Sequence, residues 1–368
     1  MLATSTRLAL PAPEQVLEPL CAHLVEHDAV ITRDGGRTEI VLGGSRARLD
    51  LDGDRLEITV EGSELASLQE MKVVIAAHLA EFAPAGAIDG MRWTGDGTGP
   101  SLPPDFRLLT VTGTQDITPH MRRIHFRGDD IARFDSLEAL HVRLFLPPPG
   151  LSEPEWPQIG EDGKIVQPPL ERRPAIRKYT VREIDRAAGT LSIDFVVHED
   201  AGPGSAFAAR ARAGDVIGIA GPGGRGLKQA ERYLFLADET GIPALARMLA
   251  NLPGGARGDA IIEVADAGEE QPLAGPDGFS IRWLHRGAAA PGSTPLLTDA
   301  FDAFDWPSEG PGLYLWAAME HAAFRHIRAA ARQKLRPGVD EHLIVSYWRA
   351  GLSEEQHAAE KKKLAKEG

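Results

Sequence analysis

The chain has 368 residues, of which 43% are apolar and 25% charged. That is the composition of a globular protein of two or three domains, not of a disordered or fibrous chain. Its 40 basic residues stand against 53 acidic ones, a net charge of −13, which disfavours a sequence-independent grip on nucleic acid or on an anionic membrane face. A single cysteine, Cys21, excludes intrachain disulfides, a four-cysteine zinc site and a conventional iron–sulfur cluster, and it fits a reducing cytosol. The opening MLATSTRLALPAP has no apolar run of signal-peptide length, and no stretch approaches the ~18 apolar residues of a membrane span. A cytoplasmic protein with no nucleic-acid partner and no membrane span is expected.

Residues 1–92 read as a small α+β domain. Pro13–Asp28 places Val16, Leu17, Leu20, Leu24 and Val25 on one helical face. The runs TEIVL, RARLDLD and RLEITVEG are strand-like, with Gly35–Gly36, Gly43–Gly44 and Asp52–Gly53 as turns between them. Ser63 is placed to cap a helix reaching Phe82, with Leu65, Leu68, Val74, Ile75, Leu79 and Phe82 inward. Residues 93–104 lack periodicity and are expected to be a linker.

Residues 105–229 hold six strand-like runs: LLTVTGTQ, MRRIHFRG, HVRLFLP, IRKYTVREI, TLSIDFVVH and DVIGIAGP. Their spacing predicts an antiparallel barrel, interrupted by a proline-rich insertion, Pro147–Pro174. In residues 230–351 strands alternate with helices: YLFLAD, a helix over Gly241–Leu252, DAIIEVAD, SIRWLHR, LYLWAAM, a helix over His321–Lys334, and EHLIVSYW. That alternation predicts a parallel α/β sheet. In the tail, 352–368, Ser353 and Gln356 have capping-box spacing, which predicts a polar helix.

Two motifs mislead. His23-Leu-Val-Glu26-His27 has the H-x-x-E-H spacing of a zinc peptidase, but in so small a domain it reads as a solvated helix face; no metal site is expected. Gly221-Pro-Gly223-Gly-Arg-Gly226 fits G-x-G-x-x-G, yet no helix can start inside it before the next strand, so it reads as the exit from the barrel.

The chemistry lies elsewhere. Arg177-Lys178-Tyr179-Thr180 falls on a barrel strand, where alternation puts Arg177 and Tyr179 on one face. An Arg for phosphate and a phenol for an isoalloxazine suit a flavin nucleotide. Val197-His198 then leads through a glycine-rich loop to Gly204-Ser205-Ala206 at a helix start, an anion site suited to pyrophosphate. Asp238-Glu239-Thr240-Gly241-Ile242-Pro243 joins the first strand of the α/β segment to its helix, the place where open α/β sheets bind nucleotides.

With these motifs the chain resembles the siderophore-interacting proteins, FAD-dependent ferric-siderophore reductases of the ferredoxin–NADP reductase superfamily. The markers run from Phe106 to Gly351: RKYTVR, VVHEDAGPGSAFA, GDVIGIAGPGG, ADETGIPALARML, WLHRG, LYLWAAMEHAAFRHIR and SYWRAG. The first 90 residues resemble a domain of unknown function sometimes fused to that family. The resemblance implies a six-stranded flavin-binding barrel followed by a Rossmann-like NAD(P)H domain. It implies that Arg177 binds the FAD phosphates, Tyr179 stacks on the flavin and Thr180 hydrogen-bonds near its N5, with Lys178 on the same strand. Val197 and His198 would lie beside the flavin, Gly204, Ser205 and Ala206 would hold the pyrophosphate, and Thr240, Gly241 and Pro243 would face flavin and nicotinamide. Glu320 matches an acidic residue near the nicotinamide, with Met319 where the family has glycine. Arg143, Arg225 and Arg349 are the basic residues implied for an anionic ferric siderophore; Leu343 stands where relatives carry a further Arg. Electrons would pass from NAD(P)H, or a separate carrier, through FAD to Fe(III). A general NAD(P)H:flavin or quinone reductase and a non-enzymatic ferric-siderophore carrier are the alternatives.

Overall fold

Backbone contacts divide the chain into two units, residues 1–106 with 147–174, and residues 107–146 with 175–368. The computed structural model describes residues 1–151, 153–198 and 202–367, with side chains to residue 360.

In the first unit a six-stranded sheet runs in the order Val30–Asp34, Arg37–Leu42, Ser45–Asp52, Arg55–Gly62, Leu2–Ala9, Thr94–Gly95. The helices Pro13–Val25 and Leu65–Phe82 share one core with it, in which Leu20, Leu24, Ile40, Ile58, Val60, Ile75 and Leu79 are buried. Three of these strands match the expected runs; Leu2–Ala9 and Val30–Asp34 do not. The former buries Thr4 and Thr6 where large apolar residues would have signalled a strand, and the latter is an exposed edge. Ser63 is not the cap: Glu64 takes that position in extended conformation with no side-chain cap bond. Leu65 and Val25 face solvent, where the helical pattern had turned them inward.

Residues 93–104 are not a free linker. Thr94 and Ser5 pair across the sheet, and Gln69 Nε2 donates to Ser101 Oγ at 2.9 Å. Trp93 is buried, its backbone N–H on Glu161 O at 3.0 Å and its indole N–H on Asp162 O at 3.2 Å. Ser101 bridges Ile159, beside a short ladder, Gln158–Ile159 with Ile165–Val166. The insertion 147–174 therefore belongs to this unit. Backbone bonds between irregular segments leave no periodicity, so the sequence pattern is blind to them.

The second unit opens with a closed six-stranded barrel, formed by Phe106–Thr118, Met121–Arg127, His141–Leu146, Ala175–Asp185, Thr190–Val196 and Val216–Gly223. Ile124, Phe126, Leu144, Val181, Ile193 and Ile219 fill it. No helix forms within Gly221–Gly226. A five-stranded parallel sheet follows, in spatial order Gly278–His285, Arg257–Val264, Arg232–Ala237, Leu313–Glu320, Glu341–Trp348. This is the Rossmann-like order, with the first strand central. The capping box is formed: Ser353 N donates to Gln356 Oε1 at 2.9 Å and Gln356 N to Ser353 Oγ at 3.3 Å, opening the helix Glu354–Glu367. Among the described residues no helix is long and apolar enough to cross a membrane.

Beginning the chain near Ser101 would strip the insertion of Trp93 and remove Gln69, the partner of Ser101. The shortened chain should melt at least ~5 °C below the full chain, and trypsin should cut at Lys164, Arg172 or Arg173 well before it does in the intact protein. Equal melting with an unchanged cleavage map would mean that the insertion orders itself.

Candidate functional site

A cavity of about 460 Å³ opens where the Ala175–Asp185 barrel strand, the start of helix Pro203–Arg210 and the carboxyl ends of the parallel strands meet. Nine of the residues singled out in the sequence line it: Arg177, Lys178, Tyr179, Thr180, His198, Gly204, Ser205, Thr240 and Pro243. Val197, Ala206, Gly241 and Glu320 are not among the lining residues. His141, Asp194, Tyr347, Trp348, Glu354 and His357 also line the cavity, and the sequence reading missed all six for this role. Trp348 precedes a noted arginine, but no spacing points to the others.

Tyr179 packs on Phe195, ring centroids 4.3 Å apart, and burial raises its phenol pKa. At the tip of the ring a Cβ at Gly204 would lie 2.1 Å from the Tyr179 hydroxyl, so only glycine lets the helix start approach it so closely. Pro203 occupies the first helical turn, which leaves the N–H groups of Gly204 and Ser205 without helical acceptors. The Ser205 hydroxyl, expected on a pyrophosphate, is instead engaged with the loop: it accepts from His198 N at 3.0 Å and donates to His198 O at 3.3 Å. The groups here suited to donate to an anion are the backbone N–H groups at a positive helix end. Residues 199–201 of this loop lie outside the described residues.

The C-terminal helix covers the same cavity. Glu355 accepts from Arg177 Nη1 at 2.5 Å, Glu354 lies 3.7 Å from Arg177 Nε, and Glu354 Oε1 accepts from Lys178 N at 3.2 Å. His357 is buried and lies 3.0 Å from Ser346 Oγ, pinning the helix to the last strand. Burial raises the Glu354 pKa against the pull of Arg177. Two carboxylates thus stand where a phosphate on Arg177 would stand.

Behind the lining, Asp238 is buried and accepts four hydrogen bonds: Thr240 N at 2.9 Å, Thr240 Oγ1 at 2.5 Å, Glu320 N at 2.9 Å and Trp348 Nε1 at 2.8 Å. Gly241 follows because a Cβ there would come within 2.9 Å of Ala237 Cβ and Ala318 O. Glu320 is buried as the cap of helix His321–Lys334, accepting from Ala322 N and, at 3.1 Å, from Ala350 N. Met319 is buried on the other face of the sheet, in a cluster with Leu315, Ala317 and Ile327.

None of the three arginines noted for an anionic substrate lines the cavity. Arg143 is exposed on the barrel strand, paired in register with Lys178. Arg349 is half-buried and ion-paired with Glu360. Arg225 precedes Gly226, whose carbonyl accepts from the Tyr314 hydroxyl at 2.7 Å at the start of strand Leu313–Glu320, whereas Arg349 follows the far end of the neighbouring strand, roughly 20 Å along the sheet. The structure does not bring Arg225 and Arg349 together. Leu343 is buried in the core of the sheet. In the first unit His23 Nε2 and His27 Nε2 lie 3.2 Å apart, and among the described residues no group of three or more His, Cys, Asp or Glu is placed to hold a metal ion.

Desolvation, with Glu239 alongside, pushes the Asp238 pKa up to about 7 against the pull of its donors, from about 3.9 in an unfolded chain. A carboxyl group raised on folding stabilises fully below the unfolded pKa, and that contribution is lost as pH rises through the folded one. Asp238→Asn removes this pH dependence and turns an amide N–H₂ toward existing donors, costing about 1–3 kcal/mol. Urea melts at pH 5, 6 and 7.5 should show a lower and flatter stability for the variant. Parallel curves for variant and parent would refute the assignment.

Residues 110–226 match the family model of the siderophore-interacting FAD-binding domain, 230–351 that of the siderophore-interacting protein, and 5–94 that of an uncharacterized protein conserved in bacteria. The crystal structure of a siderophore utilization protein from T. fusca is 40% identical, covering 68% of this chain and 96% of that one with a TM-score of 0.60. The ferric vibriobactin reductase of Vibrio cholerae is 28% identical over 69% of this chain and 93% of its own length. The NADPH-dependent ferric-chelate reductase of Escherichia coli is 37% identical over 49% of this chain and 71% of its own. The cavity between a six-stranded barrel and a parallel sheet, the two matched domain models and the similarity to the T. fusca protein place the chain in the siderophore-interacting protein family.

Proposed function

We propose that the protein is an FAD-dependent ferric-siderophore reductase that draws electrons from NAD(P)H. The observation that carries this reading is the single cavity in which Arg177, Tyr179 and the start of helix Pro203–Arg210 face the carboxyl end of a parallel sheet. The residues fit FAD: a phenol for the isoalloxazine, hydroxyl and backbone groups for its polar edge, and an arginine with two N–H groups for the diphosphate. Bound there, FAD would take a hydride from the nicotinamide and pass electrons singly to Fe(III). The chain's own part is positional. Tyr179, packed on Phe195 and met at its hydroxyl end by Gly204, presents a fixed ring. Thr240 and Trp348, both held by Asp238, shape the side open to the sheet. Arg143, beside Lys178, and Arg349 are the charges that would draw an anionic iron complex toward the site; Arg225 is the weakest of the three on position. Hard oxygen ligands favour Fe(III), so reduction loosens the complex and releases Fe(II). The lone Cys21, buried and free, suits the cytoplasm as the place of reaction.

Arg177→Ala should weaken FAD binding about 10- to 100-fold, the worth of a charge-assisted phosphate contact. Glu354→Gln with Glu355→Gln should strengthen it about 2- to 5-fold by freeing the guanidinium. Flavin fluorescence titration reads both, and equal affinity in all three proteins would remove the phosphate site from Arg177.

Under nitrogen, NADH or NADPH should bleach the flavin, and a ferric siderophore should restore its colour while a ferrous chelator captures Fe(II). Bleaching without Fe(II) would leave a flavin or quinone reductase, and no bleaching a carrier. Charge reversal at Arg143 or Arg349 should weaken siderophore binding with FAD content intact, and parent affinity should fall with salt. Unchanged affinity in both variants would put the substrate elsewhere.

A further inference from the structure

No described residue of the unit 1–106 and 147–174 is among those lining the flavin cavity, and the unit holds a cleft of its own of about 760 Å³. One wall is helix Leu65–Phe82 with the segment from Arg92 to Pro100; the other is the insertion from Pro154 to Pro169. The lining holds apolar groups, Trp93, Trp156, Ile159, Val166 and Pro168, alongside the charged side chains of Arg92, Glu155 and Glu161. Into this lining the helix places Lys72, only 2% exposed.

Lys72 is out of keeping with its surroundings. Its ammonium donates to Gly97 O at 3.0 Å, but an ammonium has three donors. The nearby carboxylates are committed elsewhere: Glu161 to Arg92, Glu155 to Arg172, and Asp162 to Lys164 at 3.0 Å. Among the described residues no carboxylate lies within ion-pair distance of Lys72, and desolvation lowers its pKa against the more distant attraction of Asp162. Burying a cation with its donors partly filled is costly unless a partner completes them. A fold that only needed to hold Gly97 could do so with a neutral donor.

We propose that the cleft is a binding site for a small aromatic carboxylate, its ring against Trp156 and the prolines and its carboxylate on Lys72. The apolar walls disfavour a bare inorganic anion, which would lose hydration to them. The cation disfavours a neutral ring, which would leave the ammonium unsatisfied. The ligand would touch both walls and so brace the insertion, which continues at Leu146 and Ala175 directly into the strands bearing Arg143 and Arg177.

The test is isothermal titration of the FAD-saturated full chain at pH 7 and low salt, with benzoate as probe and benzamide as its neutral counterpart. Benzoate should bind at least ~10-fold more tightly than benzamide, the effect of one charge-assisted hydrogen bond. Lys72→Met should erase that difference; it exchanges a buried cation for an apolar chain of similar length and should keep its melting temperature. Trp156→Ala, at a half-buried position, should weaken both probes and gives a second reading if Lys72→Met folds poorly. Equal affinity for the two probes, benzoate binding undiminished in Lys72→Met, or no benzoate binding at ~10 mM would overturn the proposal. Saturation with FAD separates its failure from that of the flavin site.

Discussion

The site depends on one buried carboxylate. Asp238 stands just past the first strand of the parallel sheet, and its acceptors are taken by the backbone after that strand, by the end of the fourth strand at Glu320 and by the indole that ends the fifth at Trp348. Three strand ends are thereby held in one register at the edge where an open α/β sheet receives its ligand. An apolar residue there would leave the donors of Glu320 and Trp348 without a partner, and an unpaired buried donor costs more than the bond it would have made. Thr240 and Trp348 line the cavity only because a group behind them holds them.

A second set of polar contacts sets the barrel against the sheet. Arg247, buried on helix Ile242–Ala250, donates to Val181 O at 2.8 Å and Phe134 O at 3.2 Å, both on the barrel side. His141 of the barrel meets the hydroxyl of Tyr347 at 2.8 Å. These bonds are directional where apolar packing is not, so they fix which barrel strand faces the carboxyl end of the sheet. Over the resulting cavity lies a helix whose first turn is acidic. Glu354 and Glu355 complement both their own helix N-terminus and the Arg177 guanidinium.

Much of this was legible in the chain. The six barrel strands and the five sheet strands announce themselves by alternation and by buried apolar runs, because each hides a whole face in a core. Ser353 and Gln356 give away the last helix because a capping box is a contact between near neighbours. Arg177, Tyr179, Gly204 and Thr240 were found because the flavin motifs that carry them are contiguous. Local chemistry and period are written along the backbone, and those determined the fold class and half of the site.

Tertiary structure alone decided the rest. Leu2–Ala9 became a strand by inserting beside Arg55–Gly62, with threonines facing inward. Trp93 and Ser101 stopped being linker when the insertion 147–174 met them 60 or so residues later. His141, Asp194 and the pair Tyr347 and His357 joined the cavity from three distant stretches, and Arg225 was left near the wrong end of the sheet for Arg349. In each case the deciding contact joins residues far apart in sequence. Whether such a contact forms depends on the register of strands and the docking of domains, and a one-dimensional pattern carries no record of either.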